Sequence, residues 1–258
     1  MKEDNYNIKI MELREMMKTI YIDRTSDQQE GLPQPMLKKQ CGASRIIPLA
    51  KNFKDIIKNN DYLHLLNTRT SKRKYTGEAL SKDELAFLLW ATQGVKEVIG
   101  KQHHATLRTV PSAGARHPFE TYVFINRVEG LETGLYHYLA LEHKLEYLGP
   151  VEEQTDRVAE AFAGQTFFAN APVGFVWTAV PYRSEWRYTT VAQKYALIDA
   201  GHVCQSLYLA SEAIGCGACA IGAYDQMLAD SLLGLDSAPS FEKENEFVIY
   251  AASVGKVE

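Results

Sequence analysis

The segment "QKYALIDAGHVCQSLYLASEAIG", Gln193 to Gly215, limits the possible folds more than any other part of the chain. Ala196, Ala200, Val203, Leu207, Ala210 and Ile214 recur at helical spacing, and Gly215 ends the run. Gly201 inside this helix costs about 1 kcal/mol relative to alanine. That cost predicts close packing at Gly201, against a second helix or a partner subunit. The elements around the helix define the layer it lies on. "FETYVFINRV" alternates, is rich in β-branched and aromatic residues, and reads as a strand. "GLYHYLALEHKLEYLG" reads as two short strands with a turn near Glu142, "PVGFVWTAV" as a buried strand, and "NEFVIYAASVG" as a central member of the sheet. In "SKDELAFLLWATQG", Ser81 and Glu84 form a capping box, Leu85, Leu88, Leu89 and Thr92 share a face, and Gly94 offers a left-handed stop. Residues 152–163 are predicted helical. Helices and strands alternate irregularly around an early hairpin, which favours an α+β layer structure over a doubly wound one.

With 258 residues, the chain can bury one substantial core or two small ones. A net charge of -4 argues against electrostatically driven binding to nucleic acid. No apolar run approaches the ~20 residues needed to span a bilayer. The charged start "MKEDNYNIKI" lacks the core of a signal peptide, so a cytoplasmic location is expected, with no membrane partner. Residues 1–50 read as an amino-terminal extension. A short helix near Met11–Lys18 is followed by the polar, proline-broken "TSDQQEGLPQPMLKKQ", which should lie along the body as a loop. The domain proper is 51–258, with its compact part beginning near Phe53. Cys41, Cys204, Cys216 and Cys219 are too few for a disulfide scaffold. The "CGAC" at Cys216–Cys219 follows a helix and has no second ligand pair, so small residues in a tight buried turn are expected rather than zinc or redox chemistry. His103 and His104 are adjacent and have no carboxylate at ligand spacing; they read as a polar loop, and no metal is expected.

Two segments carry chemistry. In "NTRTSKRKYTG", Arg69, Thr70, Ser71, Lys72 and Arg73 precede a tight turn. Guanidinium forks and hydroxyl donors converge well on phosphate oxygens. Spacing alone allows equally a solvated basic face at a helix end. In "RTVPSAGARHPFETYVFIN", Pro111, Ser112, Ala113 and Gly114 offer backbone N–H groups without bulky side chains, where a flat ring could approach closely. Arg116 and His117 follow directly, and His117 is expected to hydrogen-bond backbone and orient the loop.

Taken together, these segments resemble the nitroreductase-like FMN flavoproteins, in particular their SagB-type dehydrogenase branch. The resemblance is carried by "TRTSKRKYTGEALSKDELAFLLWATQGV", "RTVPSAGARHPFETYVFINRVEGLETGLYHY", "LIDAGHVCQSLYLASEAIGCGACAIGAYD" and "VIYAASVGK", in that order. It implies an α+β fold with a mixed central sheet flanked by helices, and FMN at a homodimer interface. Carried onto matching positions, Arg69 and Ser71 hold the FMN phosphate, Thr70 between them belongs to the cofactor-binding segment, and Arg73 lies near the pyrimidine edge, where positive charge stabilises the reduced flavin. Pro111 to Gly114 line the ring or ribityl side, with Arg116 close by. Gly222 and Ala223 in "AIGAYD" match the turn whose N–H groups face N5 and O4, and Lys256 remains as a further phosphate contact.

The resemblance breaks at one place. Some SagB-type relatives that oxidise peptide azolines use a Lys-Tyr pair just before the long helix. Here Arg187-Tyr188 occupies that position, with Lys194-Tyr195 a few residues deeper and inside the predicted helix. Arginine stays protonated at any accessible pH, so only Tyr188 could exchange a proton, while Arg187 could position or stabilise charge. The leading expectation is therefore an FMN-dependent oxidoreductase. It would take electrons from NADH, NADPH or an organic donor and pass them to a small-molecule acceptor. A peptide azoline dehydrogenase, or a non-catalytic FMN-binding subunit of a modification complex, are the competing readings. No Gly-x-Gly-x-x-Gly follows a strand, so a nicotinamide would have to stack on the flavin itself.

Overall fold

The computed structural model describes residues 2–18, 24–40, 42–43, 45–101, 104–236, 238 and 242–258. An amino-terminal helix α1 (Lys2–Met16) is longer than expected and begins earlier. It is followed in chain order by strand β1 (Ile46–Pro48), α2 (Tyr62–Thr68), α3 (Lys82–Gln93), β2 (Val95–Ile99), β3 (Ala105–Arg108), β4 (Phe119–Ile125), β5 (Gly134–Leu139) and β6 (Lys144–Gly149). The second half holds α4 (Gln154–Ala161), α5 (Thr166–Ala169), β7 (Val173–Ala179), α6 (Tyr182–Tyr188), α7 (Ala192–Ala213), β8 (Cys216–Ile221), α8 (Gln226–Leu232) and β9 (Phe247–Lys256).

Among the described residues seven strands form one sheet in the order β1-β6-β5-β4-β7-β9-β8, and every pairing between them is antiparallel. Among the described residues parallel pairing enters only at two isolated bridges, Ser71 with Ala218 and Leu80 with Val128. A separate hairpin, β2–β3, stands beside the sheet. Because side chains alternate across a strand, the buried strands feed two cores. Val123, Ile125, Phe175 and Trp177 meet Leu85, Leu88, Leu89 of α3 and Val203, Leu207 of α7 on one face. Tyr122, Phe124 and Val176 meet Val158, Phe162, Phe168 and Leu232 on the other. Helices thus flank both faces, as the α+β reading expects.

The capping box forms as read: Glu84 N donates to Ser81 Oγ at 3.1 Å, and Ser81 N donates to Glu84 Oε2 at 2.7 Å. Gly94 does close α3, but not in the left-handed form; its φ is -58°. What demands glycine is crowding, since a Cβ there would sit 2.4 Å from the Trp90 ring and 2.5 Å from its carbonyl oxygen. Gly215 does take the left-handed conformation, with φ +72°. Gly201 is exposed, and among the described residues nothing lies within 4 Å of a Cβ built on it. No helix among the described residues therefore accounts for that glycine. Cys216 and Cys219 lie on β8, not in a turn, because the chain resumes pairing with β9 immediately after Gly215. Burial pushes the Cys216 and Cys204 thiols up to about 12 and raises that of Cys219, so all three are inert as nucleophiles. Cys41 and His103 lie outside the described residues.

The extension is stitched to the body more tightly than its composition suggests. β1 adds an edge strand to β6, so sheet pairing begins before Phe53. Gln28 N donates to Trp186 O, and Trp186 Nε1 donates to Leu32 O. Further on, Lys39 N donates to Glu120, and Gly42 N and Ala43 N donate to Glu146. Those two carboxylates flank His137 on the sheet, and Glu120 also pairs with Arg183. Lys39 Nζ reaches Glu246 Oε2 at 2.8 Å, while Glu246 Oε1 accepts from Tyr122 and Thr178. A buried polar layer thus fastens Lys39, Gly42 and Ala43 to strands β4, β5, β6 and β7.

Candidate functional site

The basic segment leaves the end of α2 and docks on the free edge of β8. Lys72 N donates to Ala218 O at 2.9 Å, and Ser71 bridges Ala218. This docking places the segment's side chains over α7. The Arg69 guanidinium lies 5.3 Å from the Tyr208 ring centroid, and Ser71 Oγ is 3.0 Å from the Tyr208 hydroxyl. Ala220 N donates to that same hydroxyl at 2.8 Å, so Tyr208 ties helix, strand and basic segment together. Arg73 reaches the Phe167 ring, at 5.8 Å. Arg69 is half-buried, whereas Thr70, Ser71 and Arg73 are exposed. Among the described residues no carboxylate lies within ion-pair distance of Arg69 or Arg73. A cleft of about 400 Å³ opens beside Arg73, bounded by Ser71 to Thr76 and by Val257 and Glu258. Lys256 is oriented otherwise: its Nζ is 3.6 Å from Glu84 Oε2, at the first turn of α3.

The Pro111–His117 loop is shaped by a residue that the sequence reading passed over. Asp199, buried on α7, accepts from Ser112 Oγ at 2.6 Å and from Ala113 N at 3.2 Å. Ser112 Oγ in turn accepts from His117 N at 2.9 Å. Gly114, Ala115 and His117 all have positive φ, of 56°, 53° and 46°. Two of these are not glycine, so the loop holds strain that its side-chain bonds must offset. The N–H groups expected to face a ring are therefore partly engaged inside the protein. Burial raises the Asp199 carboxyl, opposed by the bonds from Ser112 and Ala113 and by His202, whose Nδ1 lies 3.9 Å away.

Tyr188 meets this loop. A Cβ on Gly114 would come within 2.3 Å of the Tyr188 hydroxyl, so only glycine lets the phenol lie there. The same ring packs edge-on against Tyr195 of α7 at 5.0 Å, and the Arg187 guanidinium lies 5.6 Å from its centroid. Arg187 is exposed and pairs with no carboxylate among the described residues. Arg116 turns inward: its Nε donates to Arg183 O at 2.8 Å, its guanidinium lies over Trp186, and its Nη2 has no hydrogen-bond partner among the described residues. Burial lowers its pKa, followed by the nearby charge of Arg187. His117 is pushed down to about 3 by burial and by Arg108, against a hydrogen bond to Thr106 backbone, so it stays neutral and orients the loop. Gly222 and Ala223 are exposed at the end of β8, and Ala223 O accepts from Gln165.

Helix α7 joins these parts. Tyr208 serves the basic segment and Asp199 serves the Ser-Ala-Gly loop, nine residues apart, or about 13.5 Å along the axis. Asp199 could have been found from sequence, as the one carboxylate beside Ala196, Ala200 and Val203 on the helix face read as buried. The outward face of α7 carries Leu197, Ile198 and Gly201, and neighbouring α2 exposes Tyr62, Leu63 and Leu66. Among the described residues no group of three or more His, Cys, Asp or Glu could hold a metal, and no helix is long and apolar enough to cross a membrane.

The Nitroreductase family model matches residues 66–256. A protein of Methanocaldococcus jannaschii that carries a nitroreductase name is 34% identical over 169 residues, spanning 65% of this chain and 82% of its own length. The trifolitoxin-processing protein TfxB of Rhizobium leguminosarum bv. trifolii is 29% identical over 133 residues, spanning 50% of this chain but 36% of that protein. Among solved structures, a nitroreductase-named protein of Ralstonia eutropha superposes with a TM-score of 0.65 at 22% identity, covering 88% of this chain and 95% of the other.

Proposed function

The chain belongs to the Nitroreductase family, and from that premise we propose that it is an FMN-dependent oxidoreductase working as a homodimer. The observation that carries this reading is the basic segment: Ser71 and Arg73 line one cleft, Arg69 and Ser71 both meet Tyr208, and among the described residues neither guanidinium has a carboxylate within ion-pair distance. Such a donor set suits a phosphate, which takes both forked guanidinium bonds and hydroxyl bonds. Arg69, Thr70 and Ser71 would hold the FMN phosphate, Arg73 the pyrimidine edge, and the exposed amides of Gly222 and Ala223 the far side of the ring. When bound, the flavin supplies two-electron transfer between a donor such as NADH or NADPH and a small acceptor.

The remaining residues prepare the place. Pro111 to Gly114 form one wall, with Arg116 behind it. Tyr188 holds its hydroxyl against Gly114, while the Arg187 guanidinium beside its ring can orient an anion. Lys256 belongs to the Glu84 pair and contributes at most through the field. The exposed Leu197, Ile198 and Gly201 of α7, beside Tyr62 and Leu63, form the face for the second copy, and Gly201 lets the helices approach closely.

A second reading, a SagB-type azoline dehydrogenase acting on a peptide, is favoured by the likeness to a trifolitoxin-processing protein. The Arg-Tyr pair in place of Lys-Tyr weighs against it. An absorption spectrum of purified protein tests the flavin. Anaerobic titration with NADH and NADPH separates the two readings, because a nicotinamide-driven reductase bleaches and a peptide dehydrogenase does not. Arg69→Ala with Arg73→Ala should abolish flavin retention; a double variant that stays yellow would refute the anion assignment.

A further inference from the structure

Asp199 closes a chain of contacts that no part of the proposed chemistry uses directly. Its carboxylate accepts from Ser112 Oγ and Ala113 N. The next residue in the loop, Gly114, is covered by the Tyr188 phenol, and that phenol packs on Tyr195. Tyr195 precedes Asp199 by four positions on α7, so both project from the same face of one rigid helix. The loop, the phenol and the helix therefore form a closed circuit. We propose that Asp199 is the positioning residue of this site: it fixes the Ser112–Gly114 wall, and through Gly114 it sets where the Tyr188 hydroxyl stands. The inference rests on the flavin reading above for its redox consequence, but not for its structural one.

Physical reasoning separates two contributions. The hydrogen bonds hold a strained turn with three positive φ angles, and an amide side chain could keep one of them. The negative charge lies behind a peptide group that would face the flavin, and it opposes any negative charge that reduction adds to the ring. Asp199→Ala removes both contributions, whereas Asp199→Asn removes only the charge.

The experiment measures three quantities on wild type and both variants: amide exchange of the 109–118 segment in flavin-free protein, FMN affinity, and flavin midpoint potential. Asp199→Ala should raise exchange and the FMN dissociation constant about tenfold, as expected for losing charge-assisted bonds to a loop. Asp199→Asn should keep FMN affinity within about threefold yet favour reduced over oxidised flavin about tenfold, a rise of about 30 mV for a two-electron couple. Unchanged exchange in Asp199→Ala overturns the positioning role, whether or not the protein binds flavin. Unchanged potential in Asp199→Asn, with exchange altered in Asp199→Ala, overturns the electrostatic part. Wild type that takes up no FMN would instead sink the flavin reading, and the exchange data would still decide whether Asp199 holds the loop. Circular dichroism of each variant checks that the fold is retained, and restored exchange protection in Asp199→Asn relative to Asp199→Ala excludes a generally loosened helix.

Discussion

Replacing His137 with leucine should cost the fold about 3 kcal/mol near pH 6, and the deficit should shrink as pH rises. Its Nε2 lies 3.0 Å from Glu120 Oε2 and its Nδ1 3.1 Å from Glu146 Oε2, and all three side chains are buried. Ionised carboxylate oxygens only accept, so an imidazolium with a proton on each nitrogen satisfies both contacts. Burial alone would lower the His137 pKa, but the bonds and charges of Glu120 and Glu146 outweigh it and raise the value. Removing one member of a buried ionic set costs about 3–5 kcal/mol, because the others remain buried and unpaired. The lower end applies here: Glu120 keeps Arg183 and Lys39 N, and Glu146 keeps Gly42 N and Ala43 N. For a chain of 258 residues this amounts to a melting-temperature loss of about 6–12 °C. The sign with pH follows from the raised pKa. His137 contributes fully below its unfolded value of about 6.5, and its contribution fades as pH climbs through the higher folded value. Glu120, depressed below the usual carboxylate range, acts in the opposite sense and loses its contribution as pH falls. Urea unfolding of both proteins followed by tryptophan fluorescence, from about pH 5 to 9, provides the measurement. A deficit below about 1 kcal/mol at pH 6, or one that stays constant to high pH, would refute the charged bridge.

Two further outcomes are expected. Leu197→Asp with Ile198→Asp should leave a folded monomer in sedimentation experiments, since charges on the exposed α7 stripe cannot be buried against a second copy; an unchanged dimer would move the interface elsewhere. Gly114→Ala should destabilise by about 1–2 kcal/mol from the left-handed backbone alone. It should also displace Tyr188, since the new Cβ would lie 2.3 Å from its hydroxyl, and thermal melts together with a crystal structure would show either or neither.

Local patterns recover much of this molecule. The alternation in Phe119–Ile125, the apolar period of α7 and the Ser81–Glu84 box each specify structure within a few residues of themselves, so they are legible without tertiary knowledge. β8 is not. "CGACAI" has neither alternation nor bulk, and it becomes a strand because β9 pairs with it and Lys72 and Ser71 dock on its other edge. The same limit applies to the site. Arg69 and Ser71 can be picked out by type and spacing, but Tyr208 and Asp199 reach the site through partners 137 and 87 residues away. β1 illustrates the effect at the edge: three residues of a proline-broken extension join the sheet because β6 leaves its edge open to them.

Arg183 links the fastened extension to the candidate site, and the link has a measurable consequence. Its side chain donates to Glu120, the carboxylate that also accepts Lys39 N from the extension and flanks His137. Its carbonyl accepts Arg116 Nε, and Arg116 follows the strained Ser112–Ala115 turn directly. Glu120 therefore holds the strap on one side and, through one residue of α6, the site loop on the other. Glu120→Gln keeps the shape but removes the charge, weakening charge-assisted bonds of about 1.5–3 kcal/mol. Local opening should rise about tenfold or more in residues 32–40, and amide exchange in residues 112–117 should rise with it. If the strap exchanges faster while the loop does not, α6 holds the Arg183 carbonyl in place without help from its side chain. The extension and the site would then be mechanically independent.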